Sequence, residues 1–355
     1  MATKYQLLAD RLREELRRNS GQAGYKLPTE QELSRKYQLS RQTVRHTLRL
    51  LEEEGLIHRR QGSGSYATGL LPGAAPRQIA VATSFLDDYV FPAILHDASD
   101  VFSQQGYSTA VYATKNCVSA EREILLRLLE EPVSGLLAEG AKTALPSPNA
   151  DLYQRLRQVG TPVVFLYGAG AGLEQIPCVA DDNYGGGYRL ARYLADRGHR
   201  EIAGIFKSDD IQGPQRYHGA VSALRDAGLP LRDRCFSWYD TEDRRRLLEE
   251  QDGRFLADFL QTRMGDATAV ICYNDEIAYR LIQTLLEAGR RVPEDVAVVS
   301  FDSSYLCQLG PVSITSLSHR SRMGRMAAEQ MVGLLRGEAV HSRFLEWELV
   351  VRNSG

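Results

Sequence analysis

From Ile79 to Asp302 short apolar runs alternate with amphipathic segments, and this alternation limits what the chain can fold into. IAVATSF is followed by PAILHDASDVFSQQG, STAVYA by EREILLRLLEE, GLLAE by DLYQRLRQVG, and the pair PVVFLY and PCVADD by YRLARYLADRG. EIAGIFK then leads into QRYHGAVSALRDAG, CFSWYD into FLADFLQTR and TAVICYN into EIAYRLIQTLLEAG, before the run VAVVSFD. Strands separated by helices need crossover connections, and Val/Ile-rich strands without polar alternation are covered on both faces. The pattern therefore specifies parallel, doubly wound α/β sheets. About ten strands would make one unusually wide sheet, so two lobes are expected. The change of lobe is placed near Asp182 and the return near Ser316. This gives one lobe of about 78–181 and 317–335, and another of about 182–316 and 336–355. SRMGRMAAEQMVGLLRG reads as a helix and FLEWELVVR as a closing strand.

Residues 1–68 follow a different pattern. Apolar residues at 5, 8, 12 and 16 mark one face of a helix. Thr29 with Glu32 forms a Thr-x-x-Glu start signal, and Ser40 can cap a third helix, RQTVRHTLRLLEEEG, that Gly55 would end. LIHRRQGSGSYAT then reads as a small hairpin. Helix, helix, tight turn, helix and hairpin make a winged helix-turn-helix. The stretch 69–77, which includes GLLPGAAPR, carries Gly and Pro without periodicity and reads as a linker, leaving 78–355 as the α/β domain. Residues 1–68 hold thirteen Lys/Arg against eight Asp/Glu, or +5, which leaves −7 for the rest of a chain of net charge −2. That asymmetry points the small domain at a polyanion.

A helix that enters a major groove must present arginines and small polar side chains at its N-terminal end. Ser40, Arg41, Gln42, Thr43, Arg45, His46 and Arg49 are such a set, with 42, 45, 46 and 49 facing outward and Val44, Leu48 and Leu51 facing the core. Arg45 is the first candidate for a base contact, because a guanidinium matches the paired acceptors of guanine, whereas Arg41, Thr43 and Arg49 suit phosphates. Lys4 and Arg35 add phosphate candidates, and Gln61, Gly62 and Gly64 form a wing whose backbone can approach the minor groove. The stretch LPTEQELSRKYQLSRQTVRHTLRLLEEEGLIHRRQGSGSYAT resembles the GntR-family DNA-binding domain along its whole length, in its LPTE opening, SRQTVR helix start, EEGLI hairpin entry and QGSG wing.

In open parallel sheets a ligand sits beyond the carboxyl ends of the strands. Those positions hold Ser84-Phe85, Asp88-Tyr89, Glu139, Tyr167, Lys207, Trp238-Tyr239, Asn274 and Asp302, with Arg216 at the start of a following helix. Tyr89, Glu139, Lys207, Arg216, Tyr239, Asn274 and Asp302 form the candidate effector-binding set. Carboxylates and amides pair with neighbouring hydroxyls, an arginine fork bridges two of them, and aromatic faces cover a sugar's C–H side, so the set suits a small polyol. The competing readings are an interlobe salt bridge for Asp302 with Arg216, and helix capping for Asn274-Asp275, with Asp275 expected to cap. Residues 78–352 resemble the LacI/GalR-type effector domain, itself similar to periplasmic sugar-binding proteins, in DDNYGGGYRLARYLADRGHREIAGIF, RYHGAVSALRDAGL, YNDEIA and VVSFDSS. The resemblance implies a two-lobed periplasmic-binding-protein-like fold and ligand contacts by Arg216, Asn274 and Asp302. A GntR-type head on such a body, together with GIFKSDDIQGPQR and AEGAKTALPSPN, is similar to the arabinose-repressor family. That similarity implies L-arabinose as effector and release from DNA as its result, whereas the chemistry alone says only a neutral small sugar or another polyol.

Other classes fit less well. Gly168–Gly172 follows a strand, but Pro177 and a new strand leave no room for the helix that a phosphate would need, and no nucleotide, zinc-protease or hydrolase motif occurs. No catalytic residue, cofactor or metal is therefore expected, and a sugar-active enzyme or a periplasmic carrier is the weaker alternative. Five cysteines at 117, 178, 235, 272 and 307, without a C-x-x-C pair, read as buried free thiols in a reducing compartment. With no leader and no long apolar run, a cytoplasmic protein off the membrane is expected. A winged helix reads one half-site, so a homodimer on double-stranded operator DNA is expected, joined through the large domain.

Overall fold

The computed structural model describes residues 4–18, 25–60, 63–68, 77–86, 89–319 and 322–355. The chain divides into two compact units, Met1–Pro76 and Arg77–Gly355. Of the expected linker, residues 69–76 lie outside the described residues.

In the first unit, α1 (Lys4–Arg18), α2 (Glu30–Tyr37) and α3 (Arg41–Glu53) precede the antiparallel pair β1 (Ile57–Arg60) and β2 (Gly64–Ala67). Thr29 and Glu32 close a capping box at the start of α2: the Thr29 amide donates to Glu32 Oε2 at 2.7 Å and the Glu32 amide to Thr29 Oγ1 at 3.3 Å. Gln38, left-handed at φ 51°, turns the chain sharply, and Ser40 Oγ caps α3 by accepting from the Thr43 amide. Leu8, Leu12 and Leu16 of α1 pack on Leu33, Val44, Leu48 and Leu51, which gives three short helices one shared core.

The second unit begins with β3 (Gln78–Thr83), α4 (Phe91–Gln104), β4 (Ser108–Ala113), α5 (Val118–Glu130), β5 (Gly135–Ala138), α6 (Ala150–Gln158), β6 (Val163–Leu166) and β7 (Cys178–Asp181). It continues with α7 (Asn183–Asp196), β8 (Ile202–Lys207), α8 (Gln212–Asp226), β9 (Phe236–Tyr239), α9 (Thr241–Leu248), α10 (Arg254–Asp258), β10 (Ala269–Cys272), α11 (Asp275–Glu287) and β11 (Ala297–Phe301). It ends with β12 (Thr315–His319), α12 (Met323–Leu335), β13 (Arg343–Leu345) and β14 (Trp347–Val350). Among the described residues these strands form two six-stranded sheets, ordered β13-β7-β6-β5-β3-β4 and β14-β12-β11-β10-β8-β9. The first is parallel throughout, and in the second only the β12–β14 pair is antiparallel. Each sheet is buried on both faces. In β3, for example, Ile79 and Val81 enter one apolar cluster while Ala80 and Ala82 enter the other, so the strand reads as an unbroken apolar run.

Lobe assignment differs from expectation at the carboxyl end. The first crossover lies at Asp182, but β12 remains in the second sheet to His319, because Val299, Ser300 and Phe301 of β11 hold it in parallel register. Residues 317–319 therefore belong to the second lobe. FLEWELVVR is two strands rather than one: Arg343–Leu345 pairs with β7 in the first sheet, and the chain crosses at Glu346 to pair Trp347–Val350 with β12 in the second. The segment 336–345 thus stays with the first lobe. The three crossovers meet at His319, whose ring stacks on Trp347 with centroids 3.7 Å apart and whose Nε2 lies 3.1 Å from Asp181 Oδ1.

Helices α7 and α8 lie unusually close. A Cβ at Gly187 would overlap the carbonyl of Arg216, and one at Gly219 would overlap that of Tyr184. Of the Gly185-Gly186-Gly187 run it is Gly187 that permits the helix contact, with Gly219 opposite, and α8 is held where it carries Arg216. Gly219→Ala is expected to lower the unfolding free energy by about 1–3 kcal/mol through forced separation of the helices. Urea denaturation checks this, and an unchanged midpoint would refute the close packing.

Candidate effector cleft and nucleic-acid interface

The cleft between the lobes is built from the carboxyl ends of β3, β5, β6, β8, β9, β10 and β11 and the first turns after them. Tyr89, Glu139, Lys207, Arg216, Tyr239, Asn274 and Asp302, the seven residues singled out from the sequence, all line it. Ser84, Phe85 and Tyr167 line it too; Trp238 does not, and packs instead edge-on against Tyr217 and tilted against Phe206, with centroids 5.1 and 5.8 Å apart. Asp88 lies outside the described residues. Further lining residues, among them Asp210, Gln212, Arg244 and Tyr273, were not singled out from the sequence. Tyr273 directly follows β10 and obeys the strand-end rule, whereas Arg244 sits in the charged helix TEDRRRLL, where nothing in the sequence separates it from its solvated neighbours.

Arg216 is 1% exposed and makes two hydrogen bonds and two longer ionic contacts. Its Nε donates to Asn183 Oδ1 at 2.9 Å and its Nη1 to the Tyr273 carbonyl at 2.5 Å, while Nη2 lies 3.6 Å from Asp181 and 3.8 Å from Asp302. The guanidinium also lies over the rings of Phe301 and Tyr273 at 4.1 and 4.8 Å. Burial disfavours the cation, but Asp302, Tyr273 and Asp181 outweigh it and raise its pKa above the usual value. Tyr89 reaches from the first lobe to donate to Asp302 Oδ2 at 2.5 Å. Asp302 itself stands in a left-handed conformation at φ 94°.

Lys207 is 3% exposed, and its ammonium donates to Asp209 at 2.6 Å and Thr241 at 3.0 Å, with Asp210 at 2.7 Å. Burial would lower its pKa, yet Asp210 and Asp209 together raise it. Arg244 forks onto Glu276 at 3.0 and 3.1 Å and lies 4.4 Å above the Phe85 ring of the opposite lobe. Glu139 Oε2 accepts from Thr83 Oγ1 at 2.6 Å and from the Ser84 amide at 2.7 Å. Burial holds Tyr239 and Tyr273 well above the ordinary tyrosine pKa, so both present neutral phenols. The cations Lys207, Arg216 and Arg244 each have carboxylate partners already. A neutral polyhydroxyl ligand fits such a wall better than an anion does.

At α11 the helix cap is Asn274, whose Oδ1 accepts from the Ile277 amide at 3.0 Å, and not Asp275 as expected. Asp275 is fully buried and accepts from Ser316 Oγ at 2.7 Å, the Ser304 amide at 2.6 Å and Ser300 Oγ, which ties the loop carrying Asp302 to the helix. Cys178, Cys235, Cys272 and Cys307 are buried free thiols, but Cys117, at the start of α5, is exposed.

On the first unit, Gln42, Thr43, Arg45, His46 and Arg49 of α3 share one open surface with Tyr5 and Arg59, the last two missed in the sequence. Arg45 pairs with Glu30 at 2.8 Å and Arg49 with Glu53 at 3.4 Å. Such exposed pairs are worth about 1 kcal/mol or less and yield readily to a phosphate. His46 packs edge-on against Tyr5 with centroids 4.6 Å apart. Ser40 serves as the α3 cap, Arg41 opens that helix, and Arg35 lies in the last turn of α2. Gly64 opens β2 at φ 127°. Lys4 begins α1, but its side chain, with Gln61 and Gly62, lies outside the described residues.

Burial pushes the Asp302 carboxyl up to about 7 from an ordinary 3.8, against the pull of Arg216. A group raised on folding contributes its full stability below its unfolded pKa and loses it as pH rises through the folded one. The protein is therefore expected to lose stability relative to Asp302→Asn as pH climbs from about 4 to about 7. Urea melts across that window check this, and a constant difference between the two proteins would refute it.

Residues 4–66 match the family of bacterial regulatory proteins of the gntR type, and residues 191–355 match the periplasmic binding protein-like domain. An arabinose metabolism transcriptional repressor of Halalkalibacterium halodurans is 32% identical over 100% of this chain and 97% of its own length. Another, of Geobacillus stearothermophilus, is 34% identical over 93% of this chain and 91% of its own. Among solved structures, the complex of transcriptional regulator CelR with cellobiose matches 90% of this chain and 92% of its own with a TM-score of 0.69 and 26% identity. CcpA of Lactococcus lactis, at 24% identity over 79% of this chain and 99% of its own, shares the fold with a TM-score of 0.66. The chain belongs to the family of the arabinose metabolism transcriptional repressors, in which a gntR-type helix-turn-helix head is joined to a periplasmic-binding-protein-like α/β domain.

Proposed function

We propose that this protein holds a pseudo-palindromic operator as a cytoplasmic homodimer and releases it when L-arabinose closes the interlobe cleft. The observation that carries the effector reading is the convergence of Tyr89, Glu139, Lys207, Arg216, Tyr239, Asn274 and Asp302 from both lobes on one cleft whose cations are already paired. Two relatives matched over 97% and 91% of their own length are arabinose metabolism repressors, which favours arabinose over other neutral sugars. In this reading Asp302, Glu139 and Asn274 pair with ring hydroxyls, Arg216 supplies a fork, and Tyr89 and Tyr239 cover the C–H face. Arg45 reads a base edge, with Gln42 and His46 beside it. Arg41, Thr43 and Arg49 hold phosphates with Lys4, Arg35 and Ser40, and Gln61, Gly62 and Gly64 form the wing. One winged helix reads one half-site, so affinity requires two heads.

Binding at one site changes the other only through differential affinity for two conformations, and the coupling is reciprocal. L-Arabinose is expected to raise the melting temperature more than D-glucose or cellobiose does, and to bind more weakly in the presence of operator. Equal sugar affinity with and without operator in calorimetry would sink the coupling. Arg45→Ala is expected to cost about 1–3 kcal/mol of operator affinity while leaving L-arabinose binding unchanged. Mobility-shift titrations at fixed salt give the answer, and an unaltered operator affinity would remove Arg45 from the interface.

A further inference from the structure

The two segments AEGAKTALPSPN and GIFKSDDIQGPQR, conspicuous in the sequence, meet at the edge of the cleft. Asn116 of the first lobe, 1% exposed, donates through Nδ2 to Asp210 Oδ1 at 3.0 Å and to Thr241 Oγ1 at 2.6 Å, both in the second lobe. Its Oδ1 accepts from the Lys142 amide at 2.6 Å, which fastens the two first-lobe loops to each other. Lys142 Nζ lies 3.5 Å from Asp209 Oδ2. Thr143 Oγ1 accepts from the Ile211 amide at 3.0 Å, and the Asp209 carbonyl accepts from the Ala144 amide at 3.3 Å. Lys115, Asn116 and Lys142 all stand in the left-handed region, at φ 52°, 52° and 50°. Backbone of this kind is costly for residues other than glycine and persists where its surroundings hold it.

Asn116, Lys142 and Thr143 do not line the cleft, whereas Lys207 and Asp210, to which this network leads, do. Thr241 Oγ1 takes hydrogen bonds from Asn116 and Lys207 and gives its own to Asp209 Oδ2 at 2.7 Å. One connected set of polar groups therefore spans both lobes and reaches the cleft wall. We infer that Asn116, Lys142 and Thr143 are positioning residues: they latch the lobes together from outside the cleft and so raise the affinity for its occupant. The effector part of this inference rests on the sugar-binding reading above; the latch itself does not. Every contact made only with the lobes together favours that state, and a ligand held between the lobes binds more tightly as that state gains population.

Thr143→Val keeps the side chain's shape and removes the hydroxyl that accepts from the Ile211 amide, while Asn116→Ala removes the two donors to the second lobe and the acceptor of the Lys142 amide. Calorimetry of the full chain with L-arabinose is expected to show affinity about three- to tenfold weaker in each variant, the loss of one (Thr143) or two (Asn116) hydrogen bonds between the lobes. Hydrogen exchange at the Ala144 amide, whose acceptor Asp209 is intact in both variants, is expected to quicken, while amides of β3 and β10 keep their protection. A merely structural defect would quicken the core strands too, and that result overturns the latch. So does an L-arabinose affinity within twofold of the parent. If the parent protein gives no binding heat with L-arabinose, the sugar reading fails separately. The latch is then decided by exchange in Thr143→Val, and unchanged protection at Ala144 overturns it.

Discussion

A guanidinium removed from water has to be answered on every side, and the large domain is organised around one that is. Arg216 touches the end of β7 through Asp181, the start of α7 through Asn183, the end of β10 through the Tyr273 carbonyl and the end of β11 through Asp302. These four places belong to different elements on either side of the first crossover. Leaving a buried charge without its partners costs about 3–5 kcal/mol, so the cost of misplacing any one element falls on this group. The glycines of α7 and α8 serve the same end, because without close helix contact Arg216 would not reach Asp181.

Because Asp302 is held by Arg216 and also receives the Tyr89 hydroxyl from the opposite lobe, the fold's central charge sits next to a lobe-to-lobe contact. Phe85 under Arg244 is a second such contact, and the Asn116 network a third. The lobes are therefore joined at separate points around the cleft, while the covalent crossovers gather at His319, Asp181 and Trp347. Crossovers confined to one place with non-covalent contacts elsewhere are the arrangement a hinge requires, since opening breaks polar contacts and leaves both sheets intact.

Much of this was legible in the sequence because it depends on short-range pattern. Strand and helix alternation gives parallel sheets, and the strand-end rule places all seven effector candidates on one cleft. The misjudged details depend on partners distant in the chain. Nothing within FLEWELVVR signals that Glu346 passes between sheets, because Leu345 is paired with Asp181 and Trp347 with His319, both far away in sequence. Asn274 and Asp275 are both capping types. Asn274 takes the cap, and Asp275 is drawn inward by Ser300, Ser304 and Ser316, whose approach no local pattern reveals. Arg244 escaped notice for the same reason, since Phe85 and Glu276, which distinguish it from its neighbours in α9, are distant in the chain.

The pairing of the cations bears on what the cleft can report. Lys207 is bound by Asp209 and Asp210, Arg216 lies between Asp181 and Asp302, and Arg244 is forked to Glu276. A phosphorylated sugar would bring about two negative charges into this cleft, and for any of these three cations to meet them an existing ion pair would have to break. A neutral sugar exchanges its hydrogen bonds with water for hydrogen bonds with the wall and disturbs none of these pairs. In the proposed reading the protein therefore responds to the sugar before any kinase has acted on it. In the same reading the two parts of the chain divide the work: the positive head of 68 residues suits a polyanion, and the cleft of the larger domain, its cations already paired, suits an uncharged ligand.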